Sequence, residues 1–222
     1  MVVTLKALAK MQYFKGLGSG ELEQVKKAVA FEKVMEKGQT LLFEGDRSDF
    51  MYFIVTGAVK VYKKSANGKE QILSIATNGD SLNDVATFDG GGAPANMLAM
   101  TPVLLYAFKR EDVERLFTEN RKIARNVARV LASRIRRDSS LVEVLSFGQV
   151  MGRLARIILK PVSNGDGLLL NFTQQDLADM VGTNRVVVNR SLRVMEEKGA
   201  VRLERRQIVI TDEEALKQLV NQ

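Results

Sequence analysis

The chain has 222 residues, 45% of them hydrophobic and 27% charged, with a net charge of +7. That length suits one large or two small domains with a proper core. It contains no Cys and no His, which excludes disulfides, thiolate zinc sites, cysteine-held iron–sulfur clusters, His-ligated haem and Ser-His-Asp hydrolysis. No run approaches the roughly 20 apolar residues of a membrane span, and residues 1–14 lack the apolar run of a secretory signal, so a cytoplasmic location is expected. The basic excess favours a polyanion as partner and is concentrated centrally: residues 109–148 carry 10 basic and 6 acidic groups, residues 1–108 carry 12 and 11.

Residues 4–37 read as short helices. Leu5, Leu8 and Met11 recur at helical spacing, Gly16-Leu17-Gly18 interrupts them, and Leu22, Val25 and Val29 form a second stripe. From Val34 to Phe108 glycines at 38, 45, 57, 68 and 79 punctuate short apolar runs at intervals of 7, 12, 11 and 11 residues. This spacing predicts an all-β roll with strands near Thr40–Phe43, Met51–Val55, Ala58–Tyr62, Gln71–Ile75, Met97–Thr101 and Leu104–Phe108. Ala66-Asn67-Gly68-Lys69 reads as a hairpin turn.

Residues 111–145 return to helical periodicity. Ala124, Ala128, Leu131, Ile135, Asp138, Val142 and Leu145 follow one another at intervals of 4, 3, 4, 3, 4 and 3, a coiled-coil seam, with Arg121, Lys122, Arg125, Arg129, Arg136 and Arg137 elsewhere on the helix. A helix of about 35 residues would be roughly 50 Å long. The simplest cover for its seam is the same helix of a second subunit, giving a two-fold homodimer; the alternative is packing against the chain's own domains. Asp138 is a polar defect in that seam, fixing register or meeting a ligand. Leu145-Ser146-Phe147-Gly148 then breaks the pattern, which places domains at 1–110, 111–147 and 148–222, with a hinge before the last.

Residues 173–198, TQQDLADMVGTNRVVVNRSLRVMEEK, read as helix-turn-helix. Thr173 and Asp176 form a capping-box pattern. Leu177, Ala178 and Val181 face inward, Gly182 makes the turn, and Thr183 can cap the second helix. On that helix Val188, Ser191, Leu192 and Met195 fall on one side, and Arg185, Val186, Asn189, Arg190 and Arg193 on the other. Guanidinium forks and an amide on one exposed face are what base edges and phosphates in a major groove require. Ala200–Leu203 and Gln207–Ile210 then read as a β-hairpin wing whose Arg205 and Arg206 reach phosphate. Thr173, Thr183, Asn184, Arg185, Val186, Asn189, Arg190, Arg193, Arg205 and Arg206 are the candidate DNA contacts. The expected fold class is α+β: an N-terminal jelly-roll-like β-roll, a long dimerisation helix and a C-terminal winged helix-turn-helix.

With these parts in this order, the chain resembles the CRP/FNR family of bacterial transcription regulators, most specifically in FEGDRSDFMYFIVTGAVKVY and TQQDLADMVGTNRVVVNRSLRVMEEKGAV. The resemblance implies a homodimer on palindromic double-stranded DNA, acting with RNA polymerase, with an effector in the β-roll beside the dimer helix resetting the DNA-binding domains. It implies no enzymatic activity, and no paired carboxylates at a catalytic spacing argue otherwise. In cyclic-AMP-binding members the roll carries a Gly-Glu pair and, further on, an Arg-Ser pair. Here these positions read Asn83-Asp84 and Pro94-Ala95. A cyclic phosphate needs a cation or several donors, and Pro94 supplies neither a charge nor an N–H. The expected effector is therefore a small organic molecule of unknown identity, with no metal, haem or iron–sulfur cluster; the alternatives are an effector-independent regulator or a cyclic-nucleotide-responsive one. The candidate effector residues are Asn83, Asp84, Arg134, Asp138 and Ser139, with Arg134 meeting either an anionic ligand or Asp138 one turn on. Gly90-Gly91-Gly92 predicts a mobile loop over the pocket. On the recognition helix the family commonly carries a Glu that accepts from cytosine and an Arg that reads guanine; Val186 and Arg190 stand at those positions.

Overall fold

Gly-turn spacing and apolar runs build the N-terminal half of the chain, helical periodicity the rest, and the computed structural model describes residues 3–159, 172–204 and 207–220, without the side chains of residues 144 and 147. The described residues form two compact units. One holds 3–63 and 74–136; the second holds 64–73, 137–159, 172–204 and 207–220.

The first unit opens with α1 (Leu5–Lys10), a 3-10 turn (Gln12–Phe14) and α2 (Ser19–Lys27). Thr4 caps α1 by accepting from the Ala7 amide, and the Glu21 side chain reaches back to the Gly18 amide at the start of α2. The strands are β1 (Val29–Met35), β2 (Thr40–Leu42), β3 (Phe50–Thr56), β4 (Val59–Lys64), β5 (Glu70–Ala76), β6 (Ser81–Leu82), β7 (Asn96–Ala99) and β8 (Val103–Lys109), with α3 (Asp84–Asp89) between β6 and β7. They make two antiparallel-paired sheets, ordered β1-β8-β3-β6 and β2-β7-β4-β5. This interleaving of early and late strands is a jelly roll. Between the sheets lies an apolar core that includes Met35, Ile54, Val59, Leu82, Met97 and Leu105. On the outer face of the first sheet, Tyr13, Phe14, Phe53 and Phe108 pack edge-on or tilted, with ring centres 5.0–5.7 Å apart.

One expectation for this half needs correction. Residues 29–35 form a strand, not the end of a helix: Val29 extends the spacing of Leu22 and Val25, yet its backbone pairs with Phe108 of β8. The glycines at 90–92 serve backbone geometry. Gly90 takes a left-handed φ of 77° to end α3, and a Cβ on Gly92 would fall 2.6 Å from the Gly45 carbonyl. The adjoining backbone is tied on both sides, Gly45 donating to Ala93 and Ala93 to Asp46, each at 2.8 Å.

The single helix expected over 111–145 is two: α4 (Arg110–Glu119) and α5 (Arg121–Phe147). Asn120 turns extended between them and accepts from the amides of Lys122 and Ile123 at 2.9 and 3.3 Å, so it caps α5. The 27-residue α5 is about 40 Å long. It packs on the roll through Ile123 and Val127, with Val130 and Leu131 partly buried beside them. The predicted seam lies next to that stripe. Ile135 and Val142 are 66% and 64% exposed, Ala128 is exposed, and Ala124, Leu131 and Leu145 are half-buried.

In the second unit α6 (Val150–Leu159), α7 (Gln174–Val181), α8 (Arg185–Glu197) and α9 (Glu213–Val220) enclose a core of Leu154, Leu177, Val181, Val188, Leu192, Met195, Leu216 and Leu219. Strands β9 (Val201–Glu204) and β10 (Gln207–Ile210) pair as the expected hairpin.

Candidate functional site

The helix-turn-helix is set by local chemistry. Thr173 Oγ1 accepts from the Asp176 amide at 3.1 Å, and Asp176 accepts from the Thr173 amide at 2.9 Å, closing a reciprocal capping box at the start of α7. Gly182 ends α7 with a φ of 71°, a left-handed conformation that glycine adopts without a Cβ penalty. The cap of α8 is Asn184, whose Oδ1 accepts from the Val187 amide at 3.0 Å; this corrects the assignment of that role to Thr183. The asparagine side chain is thereby engaged at the helix start.

From that start α8 divides as its periodicity predicts. Val188, Ser191, Leu192 and Met195 are buried in the core of the unit. Arg185, Arg190 and Arg193 are exposed, Asn189 is half-buried, and Val186 is 78% exposed. An apolar side chain so exposed among guanidinium groups has no packing role in the monomer. Arg185 Nε donates to Gln174 Oε1 of α7 at 3.3 Å, which orients it across the two helices. In the wing, Arg202 is held by Glu204 at 3.0 and 2.7 Å. Arg205 and Arg206 lie outside the described residues.

The candidate effector residues behave differently. Asp84, the first residue of α3, is 2% exposed, and its carboxylate is fully engaged. Arg134 Nη1 of α5 lies 2.9 Å from one oxygen, and Ser81 Oγ donates to the other at 2.7 Å, where the Tyr13 hydroxyl also donates. Arg134 Nη2 continues to the Ser81 carbonyl at 2.8 Å and to its hydroxyl oxygen at 3.0 Å. The pairing of Arg134 with Asp138 expected from helical spacing is thus replaced by a pairing with Asp84. Burial, reinforced by the Asp84 carboxylate, pushes the Tyr13 phenol well above the usual tyrosine range, so it remains a donor. Burial strips water from Arg134, but the charge and hydrogen bond of Asp84, together with Tyr13 and Asp80, outweigh that cost and hold the guanidinium more firmly protonated.

Asn83 is the one non-glycine residue with positive φ among those described, at 65°, and its Nδ2 donates to the Phe50 carbonyl at 2.9 Å. Asparagine is among the few residues suited to that conformation, which explains how it stands where a glycine would otherwise serve. Asp138 and Ser139 are exposed positions of α5 in the second unit. At 93–95, Ala93 and Ala95 are buried and Pro94 is exposed, so this stretch brings no charged or hydrogen-bonding side chain. Sequence reasoning missed Tyr13 and Ser81. Ser81 lies only three residues before Asp84, but Tyr13 is 71 residues away and no periodicity links it. Among the described residues no group of three or more His, Cys, Asp or Glu side chains could hold a metal, and no helix is long and apolar enough to cross a membrane.

Two family models match the chain: a cyclic nucleotide-binding domain over residues 32–120 and a Crp-like helix-turn-helix domain over residues 152–219. The chain is 29% identical over 187 residues to the CRP-like cAMP-activated global transcriptional regulator of Mycobacterium tuberculosis, covering 81% of this chain and 84% of that one. It is 29% identical over 183 residues to the cyclic AMP receptor protein of Thermus thermophilus, covering 82% and 85%. Among solved structures, FixK2 from Bradyrhizobium japonicum superposes with a TM-score of 0.75 at 24% identity, over 86% of this chain and 97% of that one. Thermus thermophilus catabolite activator protein superposes with a TM-score of 0.53 at 27% identity, over 95% and 98%. An effector-type roll followed by a Crp-like helix-turn-helix, aligned with such relatives across four-fifths of its length, makes this chain a member of the CRP/FNR family of DNA-binding transcription regulators.

Proposed function

We propose that the protein regulates transcription as a homodimer that reads a palindromic DNA site through α8, acts with RNA polymerase in the cytoplasm, and performs no catalysis. The observation that carries the reading is the partition of α8: one side forms the core of its unit, and the other offers Arg185, Val186, Asn189, Arg190 and Arg193. The apolar edge of α5, with Ile135 and Val142 in solvent, supplies the seam for the second subunit. Wing residues Arg205 and Arg206, with Thr173 and Thr183 at the helix starts, serve phosphate contacts.

Specificity follows from the exposed side chains. Arg190 reads guanine through its fork. Val186 cannot accept from a cytosine amino group, but its methyls suit the methyl of thymine, so the half-site carries A·T where a glutamate at this position would select C·G. Site selection from a random duplex library tests this directly. The wild type is expected to enrich A·T at that position and Val186→Glu to shift it to G·C; the same base enriched by both would refute the assignment.

The roll is of the cyclic-nucleotide-binding type, and the two sequence relatives named above are a cAMP-activated regulator and a cyclic AMP receptor protein. For this chain we infer that cyclic AMP is not the effector. No cation is offered at 93–95, and the buried carboxylate at 84 is turned toward Arg134, Tyr13 and Ser81. Calorimetric titration with cyclic AMP is expected to show no binding at concentrations that saturate a cAMP receptor. Saturable binding would overturn this.

A further inference from the structure

The Asp84–Arg134 pair joins a short helix of the roll to α5, and it is built from more than two charges. Asp84 accepts from Tyr13, Ser81 and Arg134, which arrive from the N-terminal 3-10 turn, from β6 and from α5. Arg134 is anchored a second time, on the Ser81 carbonyl. A buried carboxylate is costly unless it is paired and hydrogen-bonded, and here each oxygen has a charged or hydroxyl donor. Arg134 follows Ile123, Val127 and Val130 along the stripe that faces the roll, and Ile135, next to it, is an exposed position of the seam. The network therefore fixes the azimuth of α5 at the point where the helix leaves its own core.

We propose that Asp84 is a built-in anionic ligand for Arg134: the chain's own carboxylate sets α5 against the roll in the arrangement that binds DNA, so no anionic effector is required for that state. Tyr13 and Ser81 are positioning residues that hold the carboxylate on the guanidinium. This rests on the DNA-binding reading given above. It goes beyond that reading by assigning the regulatory input: a charge supplied in cis, where a diffusible anion would otherwise have to pair with the arginine. Tyr13, Ser81, Asp84 and Arg134 all belong to the first unit, so the input is complete within one chain.

The test uses the purified full-length protein, freed of small molecules by unfolding and refolding, on the palindrome recovered by site selection and on a scrambled duplex of equal length. The wild type is expected to prefer the palindrome with nothing added. Asp84→Ala is expected to bind it about tenfold or more weaker, within the range of typical allosteric couplings. Formate, small enough to enter the space left by the carboxylate, is expected to restore that loss, whereas chloride at matched ionic strength is not; matching is needed because DNA binding falls steeply with salt. Tyr13→Phe, which removes a single donor, is expected to show a smaller loss, and it keeps the idea testable should Asp84→Ala fail to fold. The proposal is overturned if the wild type prefers the palindrome only after a ligand is added, if the folded variants bind as the wild type does, or if formate restores nothing to folded Asp84→Ala. A wild type with no preference for any palindrome overturns the DNA-binding reading itself, an outcome separate from these.

Discussion

The roll and the helix-turn-helix handle charge in opposite ways. Around α3 the carboxylate and guanidinium are drawn inward and bond to each other and to the neighbouring Ser81 and Tyr13. Along α8 the guanidinium groups of Arg190 and Arg193 stand in water, and an exposed valine stands beside them. A buried charge pair specifies one internal arrangement and leaves little for an outside ligand; an open basic face has little internal purpose and is available to a polyanion. The contrast separates a charge pair turned to the interior from a basic face turned to solvent.

The sharpest way to separate the two sides of α8 is to cut each in turn. Leu192→Ala, on the buried side, should destabilise the second unit by about 2–5 kcal/mol, read from urea unfolding. Arg190→Ala, on the open side, should leave that unfolding curve in place. It should cost about 1–3 kcal/mol of binding on the selected site and less on random DNA; equal losses on both would restrict Arg190 to phosphate. Thr173→Ala removes the capping hydroxyl of α7 and should cost about 1 kcal/mol of stability, with a uniform weakening across DNA sequences if the hydroxyl also meets phosphate.

The smallest effect is electrostatic and belongs to the roll. The Gly18 amide, then Asn120 and Lys122, hold the Glu21 carboxylate well below its ordinary 4.5, at about 2. A depressed folded-state pKa stabilises above the unfolded value and loses that contribution as pH falls through the folded one. Wild type and Glu21→Gln should therefore differ in melting temperature above pH 4.5 and converge as the pH is lowered toward 2. A difference independent of pH would show that the contribution is not one of charge.

Much of this architecture is legible in the chain. The glycine intervals foretell the roll because each turn needs a residue free of a Cβ, and the partition of α8 follows from period alone. Three features are not legible. Val29 sits at a helical interval from Leu22 and Val25, and only the pairing with Phe108 makes it a strand. The division of α4 from α5 carries no Gly or Pro; Asn120 does the work by capping. The regular spacing of the seam draws attention away from Ile123 and Val127, the residues that face the roll. In the candidate effector region, types were readable and partners were not. Helical spacing pairs Arg134 with Asp138, whereas its partner lies 50 positions away, brought close only by the closure of the roll.

The left-handed turn at Asn83 bears on how such a regulator can change over generations. Its backbone, with φ near 65°, accepts glycine or asparagine with little strain and would resist a β-branched residue. Exchange between the permitted residues leaves α3 in place and the carboxylate of Asp84 aimed as before. Drift at this position is thus confined to a few letters, while the chemistry beside it is free to vary. A lineage could gain or lose dependence on a diffusible signal by exchanging side chains on a fixed backbone, with no intermediate that must refold.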